Sequence, residues 1–137
     1  MNASTRIGAH TIVMSTYNKA ATLAVSLTRL TECSLPPDLD VQVVVVDNNS
    51  TDDTRSVIEA FIAKFPARAE YVFEGRRVNG FARNAGIARA RGEIITNLDH
   101  DMVPDRDFVR QVRHEFERLG SRGMIGGRVD LWEQPHF

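Results

Sequence analysis

The run Val41 to Val46, VQVVVV, constrains this chain more than any other segment. β-Branched residues in a nearly unbroken row read as a parallel strand covered on both faces, because a strand with one wet face would alternate apolar and polar side chains. Parallel neighbours need long crossover connections, and the flanking sequence supplies them. Upstream, Thr11 to Ser15 (TIVMS) reads as a first strand, and Leu23, Leu27 and Leu30 recur along one helical face. Pro36-Pro37 ends that helical region in an extended turn. Downstream, Ser50 with Asp53 resembles a capping box opening a helix that turns Val57, Ile58, Phe61, Ile62 and Phe65 inward, closed by Pro66. Glu70 to Phe73 reads as a third strand. Asn79 to Arg91 reads as a helix whose small residues Ala82, Ala85, Gly86, Ala88 and Ala90 permit close packing, with Gly92 placed to stop it. Glu93 to Leu98 is the fourth strand, Phe108, Val112, Phe116 and Leu119 mark another helix face, and Met124 to Val129 is expected as a fifth strand. This alternation predicts an α/β fold, a doubly wound and mostly parallel sheet with helices on both faces.

With 137 residues the chain is expected to be one domain over residues 1–137. Its 42% hydrophobic and 26% charged content excludes a disordered chain. Seventeen Lys+Arg against 18 Asp+Glu leave a net charge of -1, so no overall positive field draws the chain to nucleic acid or to an anionic membrane. The single cysteine, Cys33, excludes an internal disulfide framework and a cysteine-rich zinc site, and is expected as a small semi-buried side chain at a helix end. Met1 to His10 carries no apolar secretory core, and no wholly apolar run is longer than the four residues of Val43 to Val46, far too short for a membrane span. A cytoplasmic location is therefore expected.

In open α/β sheets, ligands bind outside the carboxyl ends of the strands. Three strand ends here carry polar groups: Thr16-Tyr17-Asn18, Asp47-Asn48-Asn49-Ser50-Thr51-Asp52, and Asp99-His100-Asp101. In extended backbone Asp99 and Asp101 leave on the same side, about 7 Å apart at Cα, with His100 pointing away. Such a pair suits a hard divalent cation, Mg²⁺ or Mn²⁺, whose shell is completed by phosphates of a ligand. An isolated D-x-D would read as a solvated loop, but here it ends a buried apolar strand, which favours the functional reading. Asp47 ends a buried strand, where it can either receive an N–H of a nucleobase or serve a turn. Tyr17 offers an aromatic face or a core side chain. Arg83 lies in the first turns of the helix from Asn79, a place that favours anions. No Walker loop, G-x-G-x-x-G, H-E-x-x-H or G-x-S-x-G occurs at a position that would use it. His10, His114 and His136 are scattered and read as ordinary surface residues.

TIVMSTYN, VVVVDNNSTDDT, VNGFARNAGIARARGEIITNLDHD and IGGRV resemble, in order and spacing, the family 2 glycosyltransferases of GT-A fold, over about Thr11 to Val129. The resemblance implies a Rossmann-like sheet and transfer of a sugar, with inversion, from a nucleotide-sugar donor, UDP being favoured, to an unspecified acceptor. It further implies that Thr16, Tyr17 and Asn18 line the nucleotide pocket and that Asp47 contacts the base. Asn49 would meet the nucleoside from a position frequently acidic in the family, and Arg83 would lie near the nucleotide. Asp99 would approach the ribose or diphosphate, and Asp101 would hold the metal, Mn²⁺ or Mg²⁺, that bridges the phosphates. Ser15 stands where the family commonly has proline, with no chemical consequence expected.

An inverting transfer needs a general base, which in the family lies well beyond the D-x-D. Asp130 and Glu133 are the only acids after Gly120, and neither sits in a recognisable base motif. The expectation is a donor-binding part whose acceptor and catalytic-base portion lies outside this chain, the catalytic residue being unassigned. The alternative is a non-catalytic module of the same fold that holds a partner or self-associates through the apolar surface such a part leaves open. A nucleotidyltransferase ranks last, since its glycine-rich loop is missing.

Overall fold

The computed structural model describes residues 6–120 and 122–130. Its elements run β1 (Ala9–Thr16), α1 (Ala20–Glu32), β2 (Asp40–Asp47), α2 (Thr54–Lys64), β3 (Arg68–Phe73), α3 (Asn79–Arg89), β4 (Ile94–Asn97) and α4 (Phe108–Arg118). The four strands are all parallel, in the order β3-β2-β1-β4. From β1 to β2 to β3 the chain steps in one direction, so right-handed crossovers place α1 and α2 on one face. The return from β3 to β4 reverses the step and puts α3 on the other face. That reversal leaves the crevice beside β1 and β4, at the strands' carboxyl ends.

The valine run behaves as its composition demands. Val43, Val44, Val45 and Val46 are each 0% exposed. Val43 and Val45 join Ile12, Met14, Leu23, Leu27, Leu30, Ile58, Phe61 and Val109 in the larger core beneath α1, α2 and α4. Val44 and Val46 meet Val13 and Ala82 beneath α3. The small residues of α3 allow this approach. A Cβ at Gly86 would sit 2.4 Å from Val13 Cγ1, although Ala88 faces solvent. The polar member of the run, Gln42, also has a reason to be there. Its Oε1 accepts from Thr11 Oγ1 at 2.8 Å and from the Arg91 backbone N–H at 3.0 Å, while its Nε2 donates to the Arg89 carbonyl at 3.0 Å. This buried side chain thereby satisfies the carboxyl end of α3.

Several expectations are corrected. Met124 to Val129 forms no strand: Gly126-Gly127 bring no side chains to pack, and Met124 is 94% exposed. Ser50 does not cap α2, whose N-cap is Asp53 with no side-chain cap bond. The first turn is held instead by Asp52. Its Oδ1 accepts from Thr54 N at 3.1 Å and its Oδ2 from Ala20 N at 3.1 Å, so one carboxylate joins the amino ends of α1 and α2. Gly92 does not end α3, which stops at the extended residue Ala90. It is glycine because a Cβ would lie 2.5 Å from Thr11 N and 2.6 Å from Ile94 O. Leu119, expected on the inner face of α4, is exposed, and Val109 takes the fully buried place. Cys33 is the C-cap of α1, and burial together with Asp105 lifts its thiol to about 11, so it stays protonated and inert. His136 and Glu133 lie outside the described residues.

His10 is not a surface residue. It shares the inner face of β1 with Ile12 and Met14 and is 0% exposed, with Nε2 2.7 Å from Thr96 Oγ1 and Nδ1 without a partner. Burial lowers its pKa from 6.5 to about 4. The unfolded chain therefore takes up the proton first as pH falls, so stability is full above the unfolded value and declines through the folded one. Between pH 7 and 5 the expected loss is about 2 kcal/mol. Urea denaturation at both values checks it, and His10→Gln should flatten that slope. An equally steep slope in the variant would assign the effect elsewhere.

Candidate functional site

At the carboxyl ends of β1 and β4, beside the amino end of α3, lies a cleft of about 330 Å³. Thr16 and Tyr17 line it from the end of β1, Asn79 and Arg83 from the first turns of α3, and Asp99, His100 and Asp101 from the segment after β4. Ser15, Lys19 and Asn48 complete the lining. Three strand ends far apart in sequence are thus brought to one place.

Of the predicted residues, Thr16, Tyr17, Arg83, Asp99 and Asp101 line the cleft. Thr16 is buried and its Oγ1 has no hydrogen-bond partner, so a polar atom waits there for one. Asp99 and Asp101 are both exposed, and Asp99 Oδ1 lies 3.4 Å from Arg83 Nη2. Their backbone is not extended as expected. β4 ends at Asn97, and the Met102 N–H donates to the Asp99 carbonyl at 3.1 Å, closing a turn. Ser26 Oγ donates to the His100 carbonyl at 2.8 Å and anchors that turn to α1. A turn does not send alternate side chains to opposite sides, and His100 lines the cleft with both acids.

Asp47, Asn18 and Asn49 are not among the lining residues. Asp47 Oδ1 accepts from Ser50 N at 2.9 Å and Oδ2 from the Tyr71 hydroxyl at 3.0 Å. Burial and this bond push the Tyr71 phenol up to about 12. Asn18 has φ 48 and Asn49 φ 67, left-handed conformations that asparagine tolerates. Asn18 Oδ1 accepts from Thr51 N at 2.7 Å and its own N–H donates to Ser50 Oγ at 3.0 Å, buckling the loop after β1 to the loop after β2. Asp47 and Asn18 thus tie the loops after β1 and β2 together, and Asn49 reaches the Gly75 carbonyl at 3.4 Å.

Ser15, Lys19, Asn48 and Asn79 were missed. Ser15 and Asn79 act together: Ser15 Oγ donates to Asn79 Oδ1 at 2.8 Å, tying the end of β1 to the start of α3. The signal for Asn48 was its place inside the segment after β2, whereas Lys19 falls one residue beyond the segment Thr16-Tyr17-Asn18. Among the described residues, no three His, Cys, Asp or Glu are grouped closely enough to hold a metal by themselves. The arrangement thus offers two carboxylates, two cations (Lys19 and Arg83), an aromatic ring and an unpaired hydroxyl in one cleft. Among the described residues no helix is long and apolar enough to cross a membrane.

Residues 11–130 match the family described as glycosyl transferase family 2. The chain is 35% identical over 131 residues to an uncharacterized glycosyltransferase, YfnE, of Bacillus subtilis (strain 168), an alignment covering 92% of this chain and 32% of that protein. It is 33% identical over 113 residues to validoxylamine A glucosyltransferase of Streptomyces hygroscopicus subsp. limoneus, covering 80% of this chain and 24% of the relative. Among solved structures, the mannosyltransferase PcManGT of Pyrobaculum calidifontis, in complex with GDP-Man and Mn²⁺, superposes with a TM-score of 0.71 at 31% identity, over 83% of this chain and 32% of that one. S. aureus TarS 1-349 superposes with a TM-score of 0.71 at 22% identity, over 80% and 32%, a likeness of fold alone. The chain spans about a quarter to a third of these proteins. With its all-parallel sheet in the GT-A arrangement and a match running from β1 past α4, the chain belongs to glycosyl transferase family 2.

Proposed function

We propose that this chain is the donor-binding part of an inverting glycosyltransferase, taking a nucleoside-diphosphate sugar with Mn²⁺ or Mg²⁺. The observation that carries the reading is the convergence of Asp99, Asp101, Arg83, Tyr17 and the unpaired Thr16 hydroxyl on one cleft. Two carboxylates without a third protein donor fit a cation whose remaining ligands are phosphate oxygens and water. PcManGT, which holds GDP-Man and Mn²⁺, supports the same class of donor.

Asp101 and Asp99 would hold the metal, which when bound neutralises charge on the leaving diphosphate. Arg83, at the amino end of α3, holds the diphosphate by charge and exchanges its partner Asp99 for phosphate oxygens. Tyr17 and Thr16 bind the nucleoside. Asp47, Asn18 and Asn49 contribute by fixing the loops beneath it, Asp47 through Tyr71 and Ser50. The general base and acceptor site belong to the additional length of the relatives, and no carboxylate here is assigned that role.

The test is calorimetric titration of UDP, and then GDP and dTDP, in Mn²⁺ and in EDTA. Saturable binding of at least one, lost in EDTA, is expected. No binding of any of the three with metal present would overturn the reading for this chain.

A further inference from the structure

The loop Glu74 to Val78 runs from β3 to α3 beside the cleft and belongs to no helix or strand. It nevertheless carries Arg77, whose guanidinium lies 4.7 Å from the centroid of the Tyr17 ring. Tyr17 lines the cleft and is 39% exposed, so the position of Arg77 decides what that ring can present to a ligand.

What fixes the loop is chiefly one side chain. Asn48 is 6% exposed, and its Nδ2 donates to the Glu74 carbonyl at 3.0 Å and to the Arg76 carbonyl at 2.6 Å. Both partners are acceptors, so the nitrogen, not the oxygen, must face the loop. The other ties to the core are the Glu74 N–H to the Asp47 carbonyl at 3.0 Å and a long bond from Asn49 Nδ2 to the Gly75 carbonyl at 3.4 Å. Within the loop, the Arg76 side chain bonds only to Glu74, at 2.8 Å from Nε to Oε1, and lies over Phe81, while the Val78 N–H donates to the Arg76 carbonyl at 2.7 Å and closes a tight turn around Arg77. Neither side-chain contact holds Arg77, and the turn shapes its backbone without tying it to the sheet. An aspartate in place of Asn48 would aim a carboxylate at two carbonyl oxygens and repel what the amide binds.

We propose that Asn48 is a positioning residue whose side-chain amide locks the β3–α3 loop, so that Arg77 is held over Tyr17 and the cleft wall is formed before a nucleotide enters. The loop lock stands on the geometry alone; its effect on affinity rests on the donor-binding reading.

Limited trypsin digestion without ligand tests the lock, since Arg76 and Arg77 are themselves cleavage sites. In the unaltered chain, cutting after these arginines should be at least about tenfold slower than after Arg128, which lies outside any helix or strand. Asn48→Ala and the isosteric Asn48→Asp should each raise cutting after Arg76 and Arg77 about tenfold relative to Arg128. Gln42→Ala, a loss of buried bonds at the other end of the sheet, should leave that ratio unchanged. UDP titration with Mn²⁺ tests the consequence. Asn48→Ala and Arg77→Ala should each weaken binding about tenfold, and the double variant should be no weaker than either alone. Equal cutting at Arg77 and Arg128 in the unaltered chain overturns the lock even if the variants fail to fold. An unchanged ratio in both Asn48 variants, or additive losses in the double variant, also overturns the proposal. If the unaltered chain binds none of UDP, GDP or dTDP, the donor-binding reading falls together with the claim about affinity, and digestion alone decides the lock.

Discussion

Asp101→Asn is expected to weaken metal-dependent UDP binding by on the order of 100-fold while leaving the melting temperature unchanged. The substitution keeps size and shape and removes one negative charge from a site with only two carboxylates to offer. A hard divalent cation binds a neutral amide oxygen far less well than a carboxylate. The fold should not notice, because the Asp101 side chain is exposed and makes no hydrogen bond or ion pair to the other described residues. Asp99→Asn should differ. It also releases Arg83 from its 3.4 Å pair, so part of the lost metal affinity is returned as a freer cation for the diphosphate. Calorimetry in Mn²⁺ and in EDTA, beside a thermal melt, separates the two. Unchanged metal-dependent affinity in Asp101→Asn would remove Asp101 from the site.

The largest effect on stability is expected at Gly92. A Cβ there would lie 2.5 Å from Thr11 N, 2.6 Å from Ile94 O and 2.9 Å from His10 C, all backbone atoms of β1 and β4. No rotamer change relieves such contacts, so the strands must separate where their pairing begins, at His10↔Ile94. Gly92→Ala should also disturb the 2.9 Å bond from its N–H to Thr11 Oγ1. We expect a loss of at least about 3 kcal/mol, a large part of the stability of a domain this size. Gly86→Ala should cost less. Its clash, 2.4 Å to Val13 Cγ1, is with a side chain that can turn, and alanine returns about 1 kcal/mol of helix propensity. Urea denaturation of both variants checks the order. A milder Gly92→Ala would mean that β4 is loosely attached to β1.

How far these features were legible in the sequence depends on whether the information is local. The valine run and the spacing of Leu23, Leu27 and Leu30 report burial along a single element, and each of those residues is buried. His10 misled because a histidine's polarity outweighed its place in a strand with sheet on both sides and helices above and below. The fifth strand misled because Ile125 and Val129 suit a sheet while the glycines between them give it nothing to grip. At Asp99-His100-Asp101 alternation was assumed to persist past the end of β4, but a bond from Met102 to Asp99 folds those residues into a turn.

The same division runs through the site. That polar groups end the strands of a parallel sheet is already written in the order of residues, because hydrophobic periodicity fixes strands and helices locally and the handedness of crossovers does the rest. Which of those groups line the cleft depends on the assembled tertiary structure. Asp47 is taken by Tyr71 and Ser50, and Asn18 by Thr51, whereas Asp101 lines the cleft with no partner among the described residues and Asp99 meets Arg83 there. Nothing in the identity of an aspartate distinguishes these fates. They follow from which donors distant loops bring within about 3 Å, and that depends on the whole sheet being assembled.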